Sequence, residues 1–270
     1  MKNSRAQIIA TIGPVSGTLE YLKKMIASNL DVVRLNFSWG TYGEHRSYIA
    51  NTRGAAKEAS RQIPIIQDLS GPRMKSDQGH AFNADASIVA GVLTEKDIRD
   101  LEFGLSEKIE YIALSYVGNA RDIEELRKRF PASEYSPKII AKIERQEALD
   151  NLDEIIAVSD VIMIARGDLG QNVPIEKIPF FERRIITRAN AAKKPVITAT
   201  QMMLSMIDHP EPTRAEVTDV AFAILLGSDA VMLSEETARG KYPVEAVSTM
   251  ERILLETESH LPSQIHRHTL

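Results

Sequence analysis

Short runs rich in β-branched residues alternate with longer amphipathic stretches along the whole chain. Eight runs are almost continuously apolar in their first half and polar in their second half, which is typical of strands covered on both faces. These predicted strands span residues 6–13, 31–38, 64–71, 109–117, 138–144, 160–170, 195–202 and 229–236. Apolar residues three and four positions apart predict intervening helices, for example at 18–29, 95–108, 121–130, 145–159 and 214–228.

Eight strand–helix units in a chain of this length predict an α/β fold, a single (β/α)8 TIM barrel, in preference to an open doubly wound sheet. No G-x-G-x-x-G or G-x-x-x-x-G-K-[ST] motif follows a strand, which disfavours dinucleotide-binding and P-loop folds. We assign residues 1–260 to the barrel. Within it, 75–91 is predicted to be a short surface loop with room for one short strand, and 261–270 a frayed tail.

Composition narrows the class of protein further. The 270 residues are 43% hydrophobic and 26% charged, as in an ordinary globular protein, and a net charge of −4 is too small to indicate nucleic-acid or anionic-membrane binding. The absence of cysteine excludes disulfides, thiolate nucleophiles and Cys-ligated zinc. No apolar run reaches the ~18 residues of a membrane span, and the N-terminal apolar stretch is too short for a signal peptide. We therefore expect a cytoplasmic protein.

The polar residues at the predicted strand ends are the candidates for chemistry, because barrel active sites lie there. Lys142 and Glu144 share one face of the fifth strand, since side chains alternate along a strand. Asp168 lies on a glycine-flanked turn that ends the sixth strand. Glu144 and Asp168 together predict a Mg²⁺ or Mn²⁺ site, because carboxylate oxygens suit hard cations. The alternatives are a structural Lys–Glu pair and a helix-capping aspartate.

A second group of polar residues follows the second and third strands. Arg34, Asn36 and Ser38 share a face of the second strand, and Asp68 ends the third. Such a group suits a phosphate on one side and a metal on the other, although it could equally be a hydrogen-bonded network that closes the barrel. Hydroxyls at the same level come from Ser115 and Thr200. The residues therefore predict a divalent metal, a small anionic substrate, and enolate or phosphoryl chemistry.

Several motifs resemble the catalytic barrel of the pyruvate kinase family, in the same order along nearly the whole chain. They are ATIGP (10–14), RLNFSWG (34–40), KIERQEALDNLDEI (142–155), IARGDLG (164–170), ATQMM (199–203) and PTRAEVTDVA (212–221). The resemblance implies a glycolytic phosphotransferase that acts on phosphoenolpyruvate and pyruvate through an enolate held on Mg²⁺ or Mn²⁺.

Carried over residue by residue, the resemblance implies a role for each site residue. Glu144 and Asp168 would bind the divalent metal, and Lys142 would stabilise the enolate oxygen and the transferring phosphoryl group. Arg34 would hold phosphate, and Thr200 would lie near the proton transfer. The remaining groups fall into two sets. The backbone N–H groups of Gly167 and Asp168, with the hydroxyls of Thr200 and Ser115, would bind substrate. Asn36, Ser38, Asp68 and the Leu69 carbonyl would form a monovalent-cation site.

The sequence also departs from the family pattern. The family carries a lid domain between the third strand and its helix that closes over the nucleotide, and a further domain after the eighth helix. In this sequence only Lys75–Gly91 lies between the third strand and its helix. Trp39 stands where the family has His, and Gly118 where it has Arg. Arg73 replaces a glutamate. We therefore predict little dependence on K⁺, because a tethered guanidinium repels a mobile cation.

Because the sequence departs from the family pattern on the side of the site that would bind the nucleotide, three hypotheses for function remain. The first is pyruvate-kinase-type chemistry in which transfer to ADP is slow or absent while enolate chemistry survives. The second is a nucleotide-independent 2-oxo-acid lyase or decarboxylase. The third is a non-catalytic metabolite-binding barrel, against which the intact Lys142, Glu144 and Asp168 set argues. The resemblance further implies a homodimer or homotetramer that uses the segment Met202–Ala215, including Arg214.

Overall fold

The computed structural model describes residues 4–76, 79–83, 91–132, 135–261 and 268–270, without the side chains of 75, 76 and 79–81. The strands are β1 (Gln7–Thr11), β2 (Val32–Asn36), β3 (Ile65–Asp68), β4 (Arg73–Ser76), β5 (Gly79–Phe82), β6 (Tyr111–Leu114), β7 (Lys138–Ile143), β8 (Val161–Ala165), β9 (Val196–Ala199) and β10 (Ala230–Leu233).

Helices follow most of the strands. They are α1 (Leu19–Ala27), α2 (Tyr42–Glu58), α3 (Glu95–Ser106), α4 (Ala120–Arg127), α5 (Gln146–Asp150), α6 (Leu152–Val158), α7 (Arg166–Asn172), α8 (Ile178–Ala191), α9 (Arg214–Leu226), α10 (Glu235–Ala238) and α11 (Pro243–Ser259). Short 3₁₀ turns occupy Ile175–Lys177 and Leu204–Ile207. Among the described helices, none combines the length and the hydropathy that a membrane span needs.

Eight of these strands form one closed parallel barrel, hydrogen-bonded in the order β1-β10-β9-β8-β7-β6-β3-β2, so the predicted (β/α)8 fold is confirmed. The strands β4 and β5 form a separate antiparallel pair. By its internal contacts the chain divides into two units. The first comprises the residues up to Leu35, Gly40–Ile65 and those from Ile197 onward, and the second comprises Asn36–Trp39 and Ile66–Val196.

Each unit has its own apolar core of β-branched strand residues. In the first unit, Ile8 of β1 pairs with Val231 of β10, and both are fully buried. In the second, Ile140 of β7 lies between β6 and β8 and pairs with Ala113 and Val161. Burial of each such isoleucine contributes about 1.5–3 kcal/mol, which explains why near-continuous Val and Ile runs specify these strands.

Several predicted boundaries were wrong. The predicted strand 160–170 ends at Ala165, and α7 begins at Arg166, so Asp168 lies in the first turn of a helix and not on a strand-end turn. Ser38 lies in a turn beyond β2, where its backbone N–H bonds to Asn36 Oδ1 over 3.1 Å. This local bond ends the strand, as short Asn side chains commonly do. The predicted helix 145–159 is two helices that meet at Asn151.

The structure describes only parts of the predicted surface loop and tail. The loop begins inside β4, and its described part is an antiparallel hairpin in which Arg73 pairs with Phe82. Residues 77, 78 and 84–90 of the predicted loop, and 262–267 of the predicted tail, lie outside the described residues. The end of the tail is held by the first unit, because His268 N–H donates to Asp229 Oδ1 and Leu270 N–H to Gln7 Oε1, over 2.7 and 2.8 Å.

Candidate active site

Lys142 near the end of β7 is the centre of a buried polar cluster in the second unit. Its ammonium donates to Ser115 Oγ over 2.7 Å and to Asp68 Oδ1 over 3.1 Å, and it lies 2.9 Å from Glu144 Oε1. All four side chains are buried. The strand ends of β3, β6 and β7 therefore bring the predicted pair Lys142 and Glu144 together with Asp68 and Ser115, which the sequence predicted separately.

Glu144 follows β7 and is fully buried. Its Oε2 accepts the backbone N–H of Tyr116 over 2.6 Å. Its Oε1 forms an ion pair with the Lys142 ammonium and accepts no hydrogen bond from the described residues. Burial raises the pKa of Glu144, the charge of Asp168 adds to the rise, and Lys142 and Arg73 oppose it. An additional cation beside this carboxylate would relieve the cost of burying its charge.

Asp168 approaches the same cluster from the first turn of α7. Its Oδ1 accepts a hydrogen bond from the Tyr116 hydroxyl over 3.0 Å, and its Oδ2 lies 3.8 Å from Arg73 Nη2. The Asn172 amide then joins the two predicted metal ligands through their backbones. It donates to the carbonyls of Glu144 and Asp168 over 3.0 and 2.9 Å. This shared partner fixes the start of α7 relative to the end of β7.

Tyr116 is a site residue that the sequence analysis missed. It contacts both predicted metal ligands, one through its backbone N–H and one through its hydroxyl. Its φ of +56° places a large non-glycine residue in the left-handed region. Other left-handed residues, such as Lys108 and Lys193, lie just after helices, whereas Tyr116 follows a strand, and strained backbone of this kind clusters at functional sites. Burial and then the charge of Glu144 raise the pKa of Tyr116, so its hydroxyl remains a donor at neutral pH. The only sequence signal was an aromatic residue after a polar strand end.

We name Asp68, Arg73, Lys142, Glu144 and Asp168 the charged cluster. Three carboxylates face two cations, which leaves one negative charge for a further cation to balance. No group of three or more His, Cys, Asp or Glu side chains in the described part of the chain is arranged to hold a metal. A site on two carboxylates is what Mg²⁺ commonly uses, because it keeps several of its waters. The hard oxygen donors fit such an ion, among them Glu144 Oε1, which lies beside the Lys142 ammonium and accepts no hydrogen bond from the described residues.

The residues predicted for a monovalent cation lie in the second unit with the charged cluster. The Leu69 carbonyl accepts the Ser115 hydroxyl over 2.7 Å, Asn36 Oδ1 accepts the Ser38 N–H, and Asp68 is bonded within the cluster. Ser38 Oγ is buried and makes no hydrogen bond to the described residues. Three of the four predicted groups therefore already have a donor. The reduced K⁺ dependence stays a prediction.

Two other predicted site residues, Arg34 and Thr200, belong to the first unit. Arg34 on β2 is buried and donates from Nη1 to Thr11 Oγ1 over 3.0 Å. Thr200 directly follows β9, and its hydroxyl donates to the Ala199 carbonyl over 2.6 Å. Thr200 and Gln201 both have left-handed φ values, +69° and +56°. Two successive strained residues at a strand end are compatible with the predicted substrate role of Thr200, which stays a prediction.

The remaining predicted features are placed as follows. Gly167 lies in the first turn of α7 beside Asp168. Trp39 is 63% exposed after β2. In the predicted subunit contact, the methionines Met202, Met203 and Met206 are core residues, whereas Leu204 is 39% exposed. The oligomeric state and the cytoplasmic location stay predictions.

The fold and the charged cluster define the class of protein: a (β/α)8 barrel domain with a charged site at the carboxyl ends of its strands. The family model that matches is that of the pyruvate kinase barrel domain, over residues 3–92 and 80–247. The chain belongs to the pyruvate kinase family.

Individual relatives agree with this assignment. The chain is 36% identical to the pyruvate kinase of Sporosarcina psychrophila in an alignment that is 335 residues long with its gaps and that covers 94% of this chain and 57% of that protein. It is 35% identical to the pyruvate kinase of Thermococcus litoralis over 340 residues, 97% and 72% of the two chains. It is 37% identical to a pyruvate kinase of Agrobacterium vitis over 336 residues, 96% and 70%. The chain thus spans between 57% and 72% of the length of these relatives.

Proposed function

We propose that this barrel binds phosphoenolpyruvate, pyruvate or a related 2-oxo acid and stabilises its enolate. The observation that carries the proposal is the buried ammonium of Lys142, held within 3.1 Å of Ser115, Asp68 and Glu144. The family membership supports the substrate class, because the relatives are named pyruvate kinases.

The role of Lys142 in this proposal follows from its surroundings. Two hydrogen bonds and the ion pair with Glu144 fix the ammonium, so little reorganisation is needed when negative charge develops on a nearby substrate oxygen. Burial lowers the local dielectric and strengthens the attraction between the ammonium and that oxygen. The Ser115 hydroxyl donates in turn to the Leu69 carbonyl, so its lone pairs are directed at Lys142.

Glu144 and Asp168 are the residues that would hold Mg²⁺ or Mn²⁺. A bound divalent cation would supply Lewis-acid polarisation of the substrate's oxygens. Tyr116 would keep both carboxylates in place through its N–H and its hydroxyl, and Asn172 would do the same for their backbones. The two ligands are therefore held before any ion arrives.

Transfer of phosphate to ADP is proposed to be slow or absent. The alignments run over more residues than this whole chain contains, so the relatives carry residues inside the matched span that are missing here. The family model matches in two stretches that overlap at residues 80–92, next to the β4–β5 hairpin. Phosphoryl transfer needs the nucleotide positioned and water excluded, tasks that the resemblance assigns to a lid domain.

A nucleotide-independent lyase or decarboxylase is the second candidate function. The β4–β5 hairpin favours this second candidate. It places Arg73 beside Asp168 where the resemblance would place an acidic residue, so the site departs there from the pattern of the phosphotransferases. Oxaloacetate is a 2-oxo acid that carries a carboxylate on the carbon next to its keto group. When the bond to that carboxylate breaks and carbon dioxide leaves, the electron pair forms the enolate of pyruvate, which then takes up a proton, so Lys142 would serve both reactions.

Two assays on the same preparation separate enolate chemistry without nucleotide from plain kinase activity. One assay couples ATP formation from phosphoenolpyruvate, ADP and Mg²⁺ to an indicator reaction, and the other follows oxaloacetate decarboxylation without nucleotide. We expect decarboxylation that Lys142→Met abolishes and Lys138→Met preserves, because Lys138 is exposed at the other end of β7. ATP formation at rates typical of metabolic kinases would instead establish the kinase function. If neither activity is detected, a non-catalytic metabolite-binding barrel is favoured.

A further inference from the structure

The base of the β4–β5 hairpin is packed into a stack of two guanidinium groups and two rings. Arg73 and Phe82 are cross-strand partners in the hairpin. The Phe82 ring lies 5.0 Å from the Tyr116 ring, between centroids. The Arg145 guanidinium lies 4.6 Å from the Phe82 centroid, and that of Arg73 lies 5.3 Å from the Tyr116 centroid. We name these four residues the guanidinium–aromatic stack.

Gly118 makes room for one end of this stack. A Cβ at this position would come within 2.1 Å of Arg145 Nη2. Arg145 is held there by its Nε, which donates to the Tyr116 carbonyl over 2.9 Å, and by its ion pair with Glu147. The missing side chain at Gly118 therefore lets Arg145 cover Phe82. A two-stranded hairpin is marginally stable alone, so this cover fixes the hairpin base.

The other end of the guanidinium–aromatic stack places Arg73 beside Asp168. The guanidinium is largely buried and lies 3.8 Å from Asp168 Oδ2. Its Nε is buried and makes no hydrogen bond to any described residue, so the guanidinium is placed by the Tyr116 ring and by the charge of Asp168. Burial lowers the pKa of Arg73, but the charges of Glu144 and Asp168, with further contributions from Tyr116 and Asp68, outweigh it and the pKa is raised. Arg73 is a permanent cation beside a proposed metal ligand.

We propose that Arg73 is a tethered counter-ion of Asp168 that competes with the divalent cation and thereby sets the metal affinity of this site. The inference rests on the proposed function, in which Asp168 is a metal ligand. A fixed positive charge at this distance repels an arriving cation and occupies one face of the carboxylate. Phe82 and Arg145 are positioning residues, because they act on the metal only by holding Arg73.

Mn²⁺ binding to the purified chain, measured from the free-ion electron paramagnetic resonance signal without substrate, tests the inference. We expect Arg73→Gln to bind Mn²⁺ about tenfold more tightly than the wild type, because one opposing charge is removed. Arg73→Lys should restore affinity close to that of the wild type. Phe82→Ala should tighten binding to a smaller extent. Met74→Gln is the matched control, since Met74 is exposed on the same strand and should leave the affinity unchanged.

The results separate the inference from the proposed function. Asp168→Asn should weaken Mn²⁺ binding in both the wild-type and the Arg73→Gln backgrounds. If it does so while Arg73→Gln fails to tighten binding, the competition is overturned and the metal site stands. If Asp168→Asn changes nothing in a chain that binds Mn²⁺, the metal assignment itself is wrong. Absence of Mn²⁺ binding in every variant would contradict both.

Discussion

The hydroxyl of Tyr116 donates a hydrogen bond to Asp168 over 3.0 Å and so joins the end of β6 to the first turn of α7. The same residue bonds Glu144 through its backbone N–H. Tyr116 thus holds both carboxylates of the proposed metal site, while its ring packs against Phe82 and Arg73.

Tyr116→Phe removes this hydroxyl and keeps the ring. Asp168 Oδ1 then loses a donor in a partly buried site, and a hydrogen bond to a charged acceptor contributes about 1–2 kcal/mol here. We expect the free energy of unfolding, measured by urea denaturation, to fall by about that amount. Tyr135→Phe serves as a comparison, because its hydroxyl donates to the neutral carbonyl of Ile109. An unchanged midpoint for Tyr116→Phe would contradict the role given to the hydroxyl.

Much of this arrangement could be predicted from the sequence, because strand period and barrel topology are properties of the pattern. Alternation along β7 places Lys142, and the parallel barrel brings Asp68 and Ser115 to it. The role of Tyr116 in the site could not be predicted. Its two contacts depend on a left-handed φ, which a tyrosine in the sequence does not predict. The start of α7 was missed because the glycines of RGDLG favour a turn in a local interpretation. The hairpin was missed because its stability comes from distant partners such as Arg145.

Glu144→Gln tests the proposed metal site by charge alone, since glutamine keeps the shape and removes the negative charge. We expect Mn²⁺ affinity to fall by at least about tenfold, because only Asp168 then remains as an anionic ligand. Asp150→Asn, an exposed change on the following helix, should bind Mn²⁺ as the wild type does. Equal affinity of Glu144→Gln and wild type would remove the metal assignment.

Replacement of K⁺ by tetramethylammonium at constant ionic strength should leave the enolate activity and the Tm nearly unchanged. The physical reason is the resident charge of Arg73, together with the hydrogen bonds that already engage Asn36 and Leu69. Arg73→Glu reverses that charge and should gain a response to K⁺. Strong activation of the wild type by K⁺ would show that the site binds a mobile cation after all.

The pH dependence of stability should carry a contribution from Glu236, a buried residue of α10. Its carboxylate accepts the backbone N–H groups of Met203 and Ser234, and burial raises its pKa above 4.5, with Glu235 adding to the rise. A raised pKa in the folded state means that the native protein takes up the proton more readily than the unfolded chain. The contribution of Glu236 to stability is therefore full at low pH and is lost as pH rises through the folded-state pKa.

Comparison of the wild type with Glu236→Gln isolates this effect, because glutamine does not titrate. The stability difference between the two, wild type minus variant, should decrease as the pH rises above 4.5 and through the folded-state pKa of Glu236. A difference for Glu236→Gln that grows with pH would mean that the buried carboxylate is favoured in its charged form.

The central claim is that Lys142 stabilises an enolate, and exchange of the pyruvate methyl protons in D₂O with Mg²⁺, followed by proton NMR, tests it most directly. We predict exchange well above the rate in buffer and Mg²⁺ alone, reduced at least about a hundredfold in Lys142→Met and retained in Lys138→Met. Circular dichroism would confirm that Lys142→Met is folded, and Lys142→Arg provides a second variant that keeps the charge. Exchange at the background rate in the wild type, or equal exchange in a folded Lys142→Met, would contradict the account.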